Sequence, residues 1–321
     1  AKTGGEANAI AIRIARASSG KSKVAICGYH GWHDWYLSLN HTKDNELENH
    51  LLPNLSISGV PSELKNTNYS FLYNDFNSFK KLIDKHDIGT VKMEVERSNP
   101  PKDNFLERIR ETCTKKGIVL IFDECTSGFR KTSSGLYKKY NVIPDMVIYG
   151  KALGNGYPIT AILGKKEVME SAQKTFISST FWTERSGVTA ALETLKIMKS
   201  EKSWEIITEI GKKFQKGLKD CAKNNKISLS INGIPALTSF NINSKSKQLY
   251  KTLITKKLLD KNILASNLFY PCIYHKNSDL KRFFDCLDDV FSKIYFFENG
   301  RDNIENYLNS PIAHDSFKRL N

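Results

Sequence analysis

In "PDMVIYGKALGNGYP" (144–158) a single lysine, Lys151, stands directly behind an apolar run and directly before a glycine-broken loop. A lysine at the end of a buried strand is costly unless it is paired or used chemically. Three other groups stand in comparable places. Asp123 follows "IVLIF", Tyr29 and His30 follow "VAIC", and the glycine pair Gly4–Gly5 in "TGGEA" opens the first helical stretch. A glycine pair at a helix start leaves backbone N–H groups at the positive end of the dipole, which suits a phosphate. Each feature also has an ordinary explanation. Thr3 and Glu6 fit a capping box, Asp123 fits a cap or an ion pair, and Tyr29 fits a core position. The informative prospect is that all four meet.

The elements around them make that meeting expected. "EANAIAIRIARASSG" predicts a helix from Glu6 to Ala17, stopped by Gly20. Short strands are expected at Val24 to Cys27, in "TVKMEVE" and in "PDMVIYG", with a helix from Asn104 to Lys116. The run Ile118 to Phe122 is apolar without alternation, as in a parallel strand covered on both faces. Strands alternating with helices predict an α/β fold with a mostly parallel sheet flanked by helices. Ligands in such sheets sit beyond the carboxyl ends of the strands, where all four features fall. Further on, helices are expected over 186–200 and 204–225. A strand–helix mixture follows, with strands in "ISLSING" and "ALTSFNIN" and helices from Gln248 to Asn262 and Asp279 to Ile294. This divides the chain into a large domain, 1–204, and a smaller C-terminal α/β domain, 205–321.

Composition narrows the class. Hydrophobic residues make up 40% and charged residues 26% of the 321, as in a globular protein. No apolar run reaches the roughly 18 residues of a membrane span, so no membrane partner is expected. The net charge of +14 comes from lysines dispersed in pairs along the whole chain, without a basic block or base-stacking motif. That pattern describes a solvated basic surface rather than a nucleic-acid binder. Six scattered cysteines without a CxxC pair predict neither zinc nor disulfides and suit a reducing cytoplasm. His30 and His33 lack a third ligand in view, so no metal site is expected. The chain opens at Ala1 inside a working motif, so a preceding segment is expected to be missing.

Taken together, "TGGEANAIAIRIAR", "GYHGWHDWY", "VLIFDECTSGFR", "PDMVIYGKALGNGYPITAILGKKEVME" and "STFWTERSGVTAALETLKIM" resemble the class III, fold type I, pyridoxal-phosphate-dependent aminotransferases. The glutamate-1-semialdehyde aminomutase-like branch is the nearest, and "IAHDSFKRLN" is similar to the family's C-terminus. The resemblance implies a cofactor, pyridoxal 5'-phosphate, held as a Schiff base on Lys151, which would also move the substrate proton. Burial and nearby positive charge would lower the Lys151 pKa. Asp123 would pair with the pyridine nitrogen, Tyr29 would stack on one ring face and Cys125 would press the other. Gly4 and Gly5, with Thr3 nearby, would hold the phosphate. Thr180 would reach the phosphate of a partner subunit's cofactor, which implies a homodimer with shared sites. Glu94 matches a glutamate near the cofactor, and His30 belongs to the "YHG" turn that aims Tyr29. Trp32 and Arg185 are candidates for substrate contact, Arg185 alternatively pairing with Glu184 at an interface.

Three departures bear on this reading. Thr3-Gly4-Gly5 stands where the family more often has Ser-Gly-Thr. The small-residue gating loop of the mutases is replaced by "WHDWYLSLNHTKDNELENHLLPNLSISGVP", aromatic and then charged. "TFWTERSG" replaces a small-residue turn. The expectation is therefore an aminotransferase moving an amino group between an amino donor and a ketone or aldehyde acceptor. An aminomutase and a non-catalytic binding subunit are the alternatives.

Overall fold

Small residues on one stripe of α1, Gly4–Ser19, set the architecture of the first unit. Ala7, Ala11 and Ala15 let the helix lie close to a sheet, and Ile12 and Ile14 fill the contact. The computed structural model describes residues 1–41, 56–96, 98–300, 303–308 and 310–313. After α1 the chain runs through β1 (Lys23–Cys27), the short α2 (Asp34–Leu37), β2 (Asn68–Ser70), α3 (Phe76–Lys85) and β3 (Ile88–Glu94). It continues through α4 (Phe105–Lys116), β4 (Val119–Asp123), β5 (Met146–Tyr149), β6 (Ala161–Gly164), α5 (Lys166–Met169) and α6 (Arg185–Glu201). The strand order is β2-β1-β3-β4-β5-β6, parallel except for the antiparallel pairing of β5 with β6.

The sheet is covered on both faces. Val24, Ile26, Val119, Ile121, Met146 and Ile148 pack against α1. Ala25, Val91, Met93, Leu120 and Phe122 point the other way, onto Phe79 and Ile83 of α3 and Leu106 and Ile109 of α4. Alternation along each strand therefore serves two apolar layers. All strand ends that follow a helix-to-strand crossover open on the edge where the N-terminus of α1 lies.

The second unit holds α7 (Ser203–Asn224), β7 (Leu229–Asn232), β8 (Thr238–Ile242), α8 (Lys247–Asp260), β9 (Leu268–Phe269), α9 (Asn277–Glu298) and α10 (Ile304–Leu308). Its strands form a three-stranded antiparallel sheet, β7-β8-β9. The compact units are 1–96 with 100–201, and 97–99 with 202–321. The division falls at the break between α6 and α7, three residues before the boundary expected from sequence. Ser98 belongs to the second unit because its carbonyl accepts from Gly233 N at 3.0 Å. Phe214 of α7 centres this unit's core, stacked on Phe269 at 4.0 Å and flanked by Phe283 and Phe284. Phe214→Ala should lower the stability of this unit by about 3–5 kcal/mol, as for other buried aromatic truncations. Chemical unfolding followed by near-ultraviolet circular dichroism checks this.

Candidate active site

A buried carboxylate organises the carboxyl edge of the sheet. Asp123, the last residue of β4, is 5% exposed. Its Oδ2 accepts from two sides, from His30 Nδ1 at 2.9 Å and from Lys92 Nζ at 3.0 Å. Its Oδ1 accepts from the backbone N–H of Cys125 at 3.1 Å. Burial alone would raise the Asp123 pKa, but the Lys92 ammonium and the His30 hydrogen bond outweigh it and hold the carboxyl well below the usual range. His30 is itself 1% exposed. Burial first, and then the Lys92 charge, push its pKa down to about 4 against the pull of Asp123. The ring is therefore neutral at physiological pH. Both ring nitrogens face acceptors, Asp123 at 2.9 Å and the Cys27 carbonyl at 3.2 Å. The single N–H belongs on Nδ1, toward the charged carboxylate, where the bond is shorter and stronger.

The loop after β1 joins this carboxylate to α1. Asn8 Nδ2 donates to the His30 carbonyl at 3.1 Å, and Tyr36 OH donates to the Gly28 carbonyl at 3.0 Å. Gly31 has φ +100°, and a Cβ there would stand 3.0 Å from Gly5 Cα, so only glycine permits this approach. Tyr29 is partly buried, edge-on to Tyr36, with its backbone N–H directed at Glu94 Oε2 at 3.4 Å. Glu94 thus steadies the turn that presents Tyr29.

At the start of α1, Thr3 is the N-cap, its hydroxyl accepting from Glu6 N at 3.3 Å. Glu6 reaches back to Lys2 N at 2.7 Å rather than to Thr3 N, so the expected capping box is displaced by one residue. Ala7 N donates to the Thr3 carbonyl. The first four N–H groups of a helix have no partner within it, and this capping leaves those of Gly4 and Gly5 for a ligand. A Cβ on Gly4 would lie 3.7 Å from Cys125 Sγ, and one on Gly150 3.3 Å from the same sulfur. Cys125 therefore sits between the helix N-terminus and the residue preceding Lys151. Beside Gly5, His33 Nδ1 is buried without a partner.

Lys151 follows β5 and Gly150. Its φ of 40° lies in the left-handed region that a non-glycine residue rarely adopts. Its Nζ donates to Thr126 Oγ1 at 2.8 Å, three residues past Asp123. The residue is exposed, not buried as its position behind an apolar strand suggested, because the chain turns outward at Gly150.

The other expected residues lie around α6. Thr180 is exposed, and so is Arg185, at the start of α6. Within the chain Glu184 pairs with Lys2, and Lys2 with the Ser186 hydrogen bonds draws its pKa down to about 2. Trp182 Nε1 donates to Glu6 Oε1 at 3.0 Å. These two contacts clamp the turn before α6 onto the start of α1. Trp32 stacks on His33 with centroids 4.7 Å apart and is otherwise solvent-exposed. Residues 42–55 of the expected gating region, and 314–321 of the C-terminal motif, lie outside the described residues. Among the described residues no three potential ligands gather as a metal site.

Lys92 and Thr126 did not stand out in the sequence. Lys92 left one trace, a lysine inside the otherwise apolar "TVKMEV" of a strand buried on both faces.

A two-layered α/β sheet with a helix N-terminus, a buried carboxylate and a lysine at its carboxyl edge defines an enzyme built around an anionic, carbonyl-bearing cofactor. Residues 1–275 match the aminotransferase class-III family, and the chain belongs to it. It is 33% identical over 293 residues to 3-aminobutyryl-CoA aminotransferase of Cloacimonas acidaminovorans, covering 87% of this chain and 67% of that protein. It is 28% identical over 318 residues to glutamate-1-semialdehyde 2,1-aminomutase of Methanosphaera stadtmanae, covering 91% and 73%. Among solved structures it is similar in fold to an omega-transaminase from Sphaerobacter thermophilus, with TM-score 0.79 at 21% identity over 91% of this chain and 73% of that one. A second fold neighbour is the ornithine aminotransferase of Toxoplasma gondii, with TM-score 0.75 at 22% identity over 94% and 73%.

The family's cofactor is pyridoxal 5'-phosphate, and the residues present fit it. The two free N–H groups of α1 suit a phosphate. Asp123 keeps a lone pair on Oδ1, and the absent side chains of Gly4 and Gly150 open the space beside Cys125.

The buried groups also predict an unusual pH response. His30 falls from 6.5 to about 4, so between those values the unfolded chain binds the extra proton and stability rises with pH. The neighbouring Glu124, raised by burial from 4.5 to about 7, does the opposite, holding its proton in the fold while the unfolded chain has lost it. Each slope is about 1.4 kcal/mol per pH unit, and they oppose one another between pH 4.5 and 6.5. Carboxylates held low, such as Asp123 and Glu184, act below that window. Glu124→Gln should therefore convert a nearly level profile into one rising with pH across the window. Urea midpoints measured over that range check it.

Proposed function

We propose that the chain carries out pyridoxal-phosphate-dependent amino transfer between an amino donor and a ketone or aldehyde acceptor, with Lys151 as the anchoring and proton-carrying amine. The observation that carries this is the convergence on Cys125 of the α1 N-terminus and of Gly150–Lys151, with Asp123 two residues away on the same strand end. When bound, the cofactor supplies an aldehyde that takes up an amine and a ring that withdraws electrons from the bond being broken. The N–H groups of Gly4 and Gly5 bind its phosphate. Asp123 would hold the ring nitrogen, while Tyr29 and Cys125 would enclose the ring faces. His30 lies behind Asp123 and acts through it. Lys151 rests on Thr126, from which it must part, and lose a proton, before serving as a base.

The similarity to a named aminotransferase favours transfer between two substrates. The similarity to aminomutases keeps intramolecular transfer as the second reading. A labelled amino aldehyde supplied without an acceptor separates them, since only a mutase turns over. Lys151→Ala should abolish turnover and the borohydride-fixable bond to the cofactor, read by mass spectrometry of the reduced protein. A wild-type chain that never forms that bond would identify a non-catalytic binding subunit.

The proposed active form is a homodimer. Val188, Leu192, Leu195 and Ile197 are exposed on α6, whose only fully buried residues are Gly187 and Ala191. Phe181, next to Thr180, is also exposed. So much apolar surface on one helix suits a second copy of the chain, and it would bring Thr180 toward the partner's phosphate site. Leu192→Glu should shift the sedimentation coefficient from dimer to monomer and weaken cofactor retention. An unchanged coefficient counts against the shared site.

A further inference from the structure

Lys92 is fully buried at the centre of a parallel sheet. A lysine in such a place is rarely there for stability, because a buried ion pair is often no better than apolar packing of the same volume. The neighbouring strand positions show what packing would supply, since Val91 and Met93 are both buried among apolar side chains. The Lys92 ammonium donates to Asp123 Oδ2 at 3.0 Å. That oxygen already accepts from His30 Nδ1. An oxygen with two lone pairs and two donors is saturated, and Oδ1 has given one of its own to Cys125 N. A single acceptor site remains on the carboxylate.

We propose that Lys92 is a positioning residue for the cofactor: by saturating and neutralising one side of Asp123, it leaves only Oδ1 for the pyridine nitrogen and weakens that nitrogen's hold on its proton. The inference rests on the proposed cofactor site. A bare carboxylate strongly favours a protonated partner, whereas a carboxylate already paired with a cation favours it much less. Most of the other groups around the pair carry no charge of their own. His30 is neutral and Cys27 and Cys125 are held as thiols by burial, while Glu94, beside Asp123 in the strand register, turns its carboxylate to the Tyr29 N–H and is the same in the wild type and in a Lys92 variant. Lys92 thus sets the electron-withdrawing strength of the ring from a position that never touches substrate.

The test uses holoenzyme reconstituted with pyridoxal phosphate labelled with nitrogen-15 in the ring. The nitrogen chemical shift reports protonation directly, independently of turnover. In the wild type the ring nitrogen should titrate within the pH range over which the holoenzyme stays folded, because Lys92 offsets the charge of the carboxylate it faces. In Lys92→Met its pKa should rise by about 1–3 units, the size expected when a neighbouring cation is removed. An unchanged titration in a folded Lys92→Met holoenzyme overturns the proposal. If that variant does not fold, the wild type decides, and a nitrogen protonated throughout the range overturns it. A wild-type chain that takes up no labelled cofactor overturns the cofactor site itself, an outcome distinct from either.

Discussion

The desolvated charge of Asp123 is the constraint to which the rest of the site answers. A carboxylate taken out of water at the end of a central strand is stable only if donors replace its hydration. Three parts of the chain provide them: the loop after β1 through His30, the middle of β3 through Lys92, and the turn after β4 through Cys125. Because these donors come from different elements, satisfying one carboxylate fixes the ends of three adjacent strands relative to one another. The His30 imidazole is kept neutral by the same arrangement, since burial and the Lys92 charge both oppose its protonation.

Packing of α1 then decides what the carboxylate faces. The alanine stripe brings the helix close to β1, β4 and β5, and the Gly31–Gly5 approach locks its first turn to the loop that carries Tyr29 and His30. The helix dipole and two unpaired N–H groups end up on the same edge of the sheet as Asp123. Lys2 and Glu6 tether the turn before α6 to that same first turn through Glu184 and Trp182. A phosphate-binding end and a ring-binding end are thereby joined through a few hydrogen bonds, with Cys125 between them.

The strained backbone at Lys151 fits this picture. A left-handed conformation at a non-glycine residue persists only where surrounding contacts impose it. Here Gly150 turns the chain out of the sheet and the Thr126 hydroxyl receives the ammonium. The amine is held near the carboxylate's strand end without being buried against it. Its outward position is a consequence of the turn, which the apolar run before it does not reveal.

Much was readable before any coordinates. Unbroken apolar runs such as "IVLIF" could only be strands covered on both faces, and "TGGEA", "FDEC" and "YGKALG" placed Gly4, Gly5, Asp123 and Lys151 at strand or helix ends, where topology brings ligand groups together. Short edge elements were less legible: three-residue β2 and four-residue β6 carry too little pattern to separate from loop, whereas α3, with Phe79 and Ile83 four residues apart behind a capping Asp75, was missed although its pattern was present. The sequence by itself determined the order of the central strands and of the longer helices α1, α4 and α6 to α9, the parallel sheet and the residue types at its carboxyl edge, because periodicity and strand-end position are local properties. Tertiary structure alone decided that Lys92 and His30 share one oxygen of Asp123, that Glu184 takes Lys2, and that Lys151 turns outward. The first two depend on which distant groups reach one carboxylate, and no stretch of sequence contains both competitors; the third depends on the Thr126 hydroxyl that receives the ammonium from an earlier part of the chain.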